Sequence, residues 1–440
     1  MSWLVVGVEN GVFWATEETN ISFRGRELTL RPETDKWSPD VITKYGPPGT
    51  YEEALRTVRQ FLSSVAWVLQ GRLREIGITG GSHPIHIGLG RSSGLAHVRL
   101  LNPHFRLDYL PDPVDPRARL ALALYREALG LNSDAYQFLG FFKILNILHD
   151  KGTDHGRWIN KAVDLLTDHR AKSRVEELRR TVSDIGDYLW RSGRCAVAHA
   201  YSEPLVDPED PDDLDRLQKD LPLIKALGEH LIEYELGVKS SHTIYREHLY
   251  ELEGFRVLLG SEMVAKLKAG ESVPVETIAD LPKVSIRMRD VAPLHAFEIM
   301  TPQLIVVENG CLIVDCLSGN RQVCFRVGLN FAEERLQFDP ERGILIADDG
   351  TARAFRNVAD HMRLLKALIQ NGQLEIWNAE TNCLLGRTDA CIPVNIDPST
   401  SVQNLDQQIE RFERLAQSRE SSVVPPHHPS SEPHTSPPPT

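Results

Sequence analysis

The sequence predicts a multidomain α+β chain: a central all-α bundle of four-helix type, flanked by two β-rich α+β sections. Three observations carry this. Short apolar runs split by Asn-Gly and related turn pairs occupy both ends of the chain. Apolar residues at three- and four-residue spacing dominate the middle. The length, 440 residues with 41% hydrophobic and 25% charged, suits two or three ordinary globular domains.

The N-terminal section is read as residues 1–110. Residues 3–8 and 12–15 are apolar and are separated by Asn10-Gly11, so they predict a tight hairpin. ISF and ELTLR around Arg24-Gly25-Arg26 predict a second one. Thr50 and Glu53 have capping-box spacing. Ala54, Leu55, Val58, Phe61, Leu62 and Val65 follow at helical spacing. Strands and glycine turns are expected from Gly77 to Leu100.

After the stiff PDPVDP segment at 111–116 the bundle is read as residues 117–238. Its helices are expected at Leu120–Leu129, Ala135–Leu148 and Trp158–Leu166, then along Val175, Leu178, Val182, Ile185 and Leu189, and last at Leu217–Tyr234. Ala135–Leu148 is apolar nearly all round and predicts a buried central helix. Lys143 and Asn146 interrupt it, so Lys143 should meet an acid, Asp184 or Asp187, or reach a cleft.

A helical connector, residues 239–283, leads to a C-terminal β-rich α+β section at 284–398. Hairpins are expected around Asn309-Gly310 and between Leu374–Trp377 and Cys383–Leu385, with one helix near 352–370. Residues 399–420 read as a helix. Residues 421–440, with seven prolines and five serines, read as a disordered tail.

Composition narrows the function classes. Net charge is −12, which disfavours nucleic-acid coating and anionic membranes in general. No run of about 18 apolar residues predicts a membrane span. Six cysteines without paired spacing fit a reducing cytosol, so a cytoplasmic location is expected. No cofactor motif and no metal-ligand spacing stand out. His83 and His86 lie three apart in an expected strand and should face oppositely, and Gly88-x-Gly90-x3-Gly94 lacks the βαβ context of a phosphate loop. The acidic stretch 203–215 suits turns and caps rather than Ca²⁺, and the cysteines default to buried small hydrophobes.

One constellation carries chemistry: Arg191-Ser-Gly-Arg194-Cys-Ala-Val-Ala-His199. An imidazole can move a proton at a ribose hydroxyl or leaving oxygen, and a guanidinium can clamp the phosphate. Arg194 and His199 are therefore the candidate catalytic pair of a metal-independent endoribonuclease. Arg179, Arg180 and Arg191, in a stretch with ten basic against seven acidic residues (151–200), are candidate nucleic-acid contacts. The opposing reading is structural. In an unbroken α-helix five residues turn through about 140°, so the two would not share a face, and His199 would sit in the core. Gly193 could break that register.

Arg-x4-His late in a helical bundle resembles the HEPN superfamily over about residues 117–237. That resemblance implies an all-α bundle, frequently dimeric, with Arg194 and His199 as site residues. Cys195 stands where nuclease members usually carry Asn or Asp. A second resemblance covers more of the chain. GGSHPIHIG (80–88), FRLDYLPDPVDPRARLALALYREALG (105–130), the block from Arg194 to Val238 and PVNIDP (393–398) are similar to the family called methylamine utilization protein MauJ. It implies genetic association with methylamine breakdown and supplies no chemistry. The expectation is thus an accessory or interaction protein that dimerises through its bundle, without cofactor or metal. Endoribonuclease activity on RNA is the alternative.

Overall fold

The computed structural model describes residues 1–12, 14–88, 107, 109–149, 152–199, 204–271, 273, 281–308, 310–389 and 399–421. Residues 89–94 of the Gly88–Gly94 segment, His97, His104, Cys391, the block 393–398 and the tail beyond 421 lie outside them. The architecture is mixed α+β with a central helical region, as predicted. The chain divides into two compact units, the first ending at Ile244 and the second starting at Tyr245 in the described residues.

The first unit opens with a five-stranded antiparallel sheet ordered β2-β3-β4-β1-β5. The strands are β1 (Ser2–Asn10), β2 (Thr19–Phe23), β3 (Arg26–Arg31), β4 (Asp40–Tyr45) and β5 (Leu73–Gly81). The β2–β3 hairpin forms as expected. Arg24 and Gly25 both take positive φ, 52° and 70°, as its two-residue turn requires. The Asn10-Gly11 hairpin does not form. β1 pairs with β4 and β5 instead, and Gly11 donates its N–H to the Arg72 carbonyl. Long-range pairing has overridden a local turn signal, because Leu4, Val5, Val6 and Val8 are fully buried only in a central strand. Helix α1 (Tyr51–Leu69) covers this sheet and opens with the predicted Thr50–Glu53 capping box.

The helical region follows with α2 (Pro116–Gly130), α3 (Asp134–Leu145), α4 (Gly152–Ala162), α5 (His169–Leu178), α6 (Ile185–Tyr188), α7 (Ala196–Ala198) and α8 (Pro211–His230). Its core is aromatic and aliphatic: Tyr125, Phe138, Phe141, Phe142, Leu189, Ile224 and Leu227. The stripe from Val175 to Leu189 is not one helix. Asp184 caps α6 through the Asp187 N–H and so restarts the chain there, yet Val175, Leu178, Ile185 and Leu189 all reach the core. Lys143 is exposed beside a shallow cleft with Tyr136 and Leu131, so the expected acid pairing is corrected. Asp187 holds Arg191 and Asp184 holds Asn160.

The described part of the expected helical connector is three short helices: α9 (Ser241–Arg246) at the end of the first unit, then α10 (Glu253–Leu259) and α11 (Ser261–Lys268) in the second. Gly260, at φ 79°, separates the last two. A five-stranded antiparallel sheet is ordered β10-β9-β8-β7, where β7 is Thr301–Glu308, β8 Cys311–Leu317, β9 Val323–Asn330 and β10 Arg335–Gln337, and its fifth strand β11 (Ile344–Ile346) also pairs with β9. A second sheet is ordered β13-β12-β6, from β6 (Val284–Met288), β12 (Gln373–Asn378) and β13 (Leu384–Asp389). Both predicted hairpins, β7–β8 and β12–β13, form. α12 (Ala352–Ile369) packs on α13 (Ser399–Ser421) through Arg363–Glu413 and Lys366–Asp406 ion pairs.

Candidate functional site

Arg194 and His199 come together. The Arg194 Nη1 lies 3.2 Å from the His199 Nε2, and both residues are half-buried. Two local departures from α-helix bring this about. Leu189–Cys195 winds as a π-helix, and His199 leaves the helix in an extended conformation, φ −133° and ψ 112°. Gly193 has a packing role within the π-turn. A Cβ there would lie 2.3 Å from the Phe138 ring, so only glycine lets this turn close on α3.

An arginine has donors only, so Nε2 accepts from it, and a neutral ring then carries its proton on Nδ1. The Arg194 guanidinium also lies 4.9 Å from the Trp190 ring centre. Trp190 stacks at 5.0 Å on His155, which is buried and packs on Phe142. The pair thus stands on an aromatic shelf running into the core. Further along, His149 packs on Trp158 at 5.3 Å, Trp158 Nε1–H donates to Glu235, and His230 packs on Tyr234 at 4.7 Å. Burial pushes His230 below its ordinary value, against the raising influence of Glu235 and Glu233.

Several other basic residues of the helical region are matched by acids. Arg191 pairs with Asp187 at 2.9 Å and Arg179 with Asp164 at 2.5 Å. Arg174 bonds Glu177 and the fully buried Asp220, which also accepts from the Tyr188 hydroxyl at 2.8 Å. Arg216 donates to the Ser192 carbonyl at 2.6 Å and pairs with Asp213. Arg180 is exposed. Sequence reasoning missed Trp190, His155 and Asp220. The i,i+4 step from Trp190 to Arg194 was the one legible signal; the others depend on contacts between distant segments.

Elsewhere, His86 stacks on Trp37 at 5.5 Å above the buried Arg31–Asp40 ion pair, while His83 bonds Ser82. Neither lies in β5, contrary to expectation. Among the described residues, no group of three or more His, Cys, Asp and Glu side chains could hold a metal ion. No described helix is long and apolar enough to cross a membrane. The described cysteines form no disulfide with one another.

What these features define is a mixed α+β chain whose helical region carries a half-open arginine–histidine corner on an aromatic shelf. That helical region, residues 121–233, matches the family model described as methylamine utilization protein MauJ, and the chain is MauJ-like there. No curated protein and no solved structure matches the chain significantly.

Proposed function

We propose that this chain is a MauJ-like accessory protein that works by binding, with the Arg194–His199 corner as an architectural joint of its helical region. The observation that carries this is the 3.2 Å contact itself. The arginine donates into the imidazole lone pair that a general base would use, while its face rests on Trp190. The acid partners of Arg179 and Arg191 favour the same reading, because a phosphate would have to compete with carboxylates already in place. Association with a second copy through the helical region and a cytosolic location belong to this proposal.

A metal-independent endoribonuclease is the second reading, and the half-exposure of both side chains favours it. There His199 would move the proton of a ribose hydroxyl and Arg194 would clamp the phosphate, in the arrangement the HEPN resemblance implies. Incubating the full chain with single-stranded and hairpin RNA in EDTA separates the two. The accessory reading expects intact RNA, and a His199→Ala variant that melts at a lower temperature. Cleavage leaving cyclic phosphate ends, abolished in a folded His199→Ala variant, would establish the nuclease instead.

A further inference from the structure

A groove of about 470 Å³ lies between the β2–β3 turn, α1 and α2 of the first unit. Its size falls within the usual range for small-molecule sites. Five arginines line it: Arg24, Arg56, Arg59, Arg119 and Arg126. In a chain of net charge −12, that concentration on one concavity is unexpected.

The acids at the groove do not balance them. Arg24 pairs with Asp112 at 2.7 Å. Glu75 serves two guanidiniums at once, taking Arg59 through both oxygens at 3.0 and 3.1 Å and Arg126 at 3.2 Å. Arg126 is largely buried, and burial pushes its guanidinium below the ordinary value. Among the described residues no ion pair joins Arg56 or Arg119 to a carboxylate; Asp115, which holds Arg117, also feels the Arg119 charge. Glu52 is the remaining acid of the lining, so the five lining arginines face two lining acids, Glu52 and Asp112, with Glu75 and Asp115 beside them. The hydroxyls at the groove are committed elsewhere: Ser63 donates to the Arg59 carbonyl and Ser64 to that of Pro111. Gln60 accepts from Arg24, and the remaining wall is largely apolar, with Leu55, Leu122 and Ala123 on the two helices and Phe23 at the sheet.

Guanidiniums recognise planar or tetrahedral oxyanions through paired N–H donors, and an apolar wall rewards a carbon body. We propose that this groove binds a small amphipathic oxyanion, a carboxylate or phosphate head at Arg56 and Arg119 with its carbon chain along Leu55, Leu122 and Ala123. Such a ligand brings the charge that Glu75 and Asp112 leave unmatched. This proposal is independent of the Arg194–His199 corner.

Calorimetric titration of the full chain with hexanoate, hexyl phosphate and hexylammonium tests it. One of the two anions is expected to bind saturably, and the tighter one identifies the head group. The ammonium is expected not to bind. Arg119→Gln should weaken the anion by about tenfold, the loss expected for one charge-assisted hydrogen bond. Arg56→Gln, at an exposed position, gives the same readout should the first variant fold poorly. Absence of anion binding up to about 10 mM, well above the millimolar affinity of a weak site, would overturn the proposal. Equal binding of the ammonium, or anion affinity unchanged in both folded variants, would overturn it as well.

Discussion

Two arginine-bearing places in the first unit differ in how their charge is met. At the helical corner, Arg174, Arg179, Arg191 and Arg216 each have a carboxylate within 3.2 Å, and Arg194 rests on Trp190 and His199. At the groove, one carboxylate answers two arginines, and two more arginines form no ion pair among the described residues, one of them only near Asp115. Counting basic residues along the sequence points to the first place, since residues 151–200 carry net +3. Counting partners in space points to the second. What distinguishes a binding surface from a braced one is whether its charge is already paired, and burial sharpens that difference by making an unpaired charge costly.

The largest expected effect breaks the bracing at its buried end. Asp220→Ala would leave Arg174 and Tyr188 facing an empty acceptor in a dry site. It should destabilise the first unit by about 3–5 kcal/mol in urea denaturation. Next comes the turn that positions the corner. Gly193→Ala drives a methyl into Phe138 and should cost about 1–3 kcal/mol, recovered in part by Phe138→Leu in the double variant. His199→Ala removes one acceptor from a half-exposed arginine and should cost only about 1 kcal/mol in the same assay. Acidification gives the gentlest probe. Burial holds His230 in the first unit and His361 in the second below the ordinary imidazole value. Between the folded and unfolded pKa values the unfolded chain binds more protons. Each histidine therefore contributes stability that is present above pH about 6.5 and is lost as pH falls through the depressed folded value. Melting temperature should decline over that window, and a His230→Gln variant should flatten the decline of the first unit.

The sequence carried more of the architecture than of the sites. Periodicity identified α1, α8 and α12 and the β2–β3, β7–β8 and β12–β13 hairpins, because caps and turn glycines act locally. It misread Asn10-Gly11, where β1 finds partners at both sides from distant segments. It also joined α5 to α6, since an apolar stripe persists in register across a chain that stops and is recapped at Asp184. Arg194 and His199 were legible as residue types, and their contact was not: an ideal helix keeps them apart, and the π-turn that unites them depends on Gly193 meeting Phe138 from another helix. The groove was invisible for the same reason. Its arginines come from residues 24, 56, 59, 119 and 126, and only folding gathers them.

Calorimetry with whichever of hexanoate and hexyl phosphate binds more tightly, on three proteins, the unaltered chain, Arg119→Gln and Arg194→Gln, tests the contrast between paired and unpaired charge most directly. Affinity should fall about tenfold in Arg119→Gln and stay unchanged in Arg194→Gln. Loss confined to Arg194→Gln would place the anion at the helical corner and contradict the account.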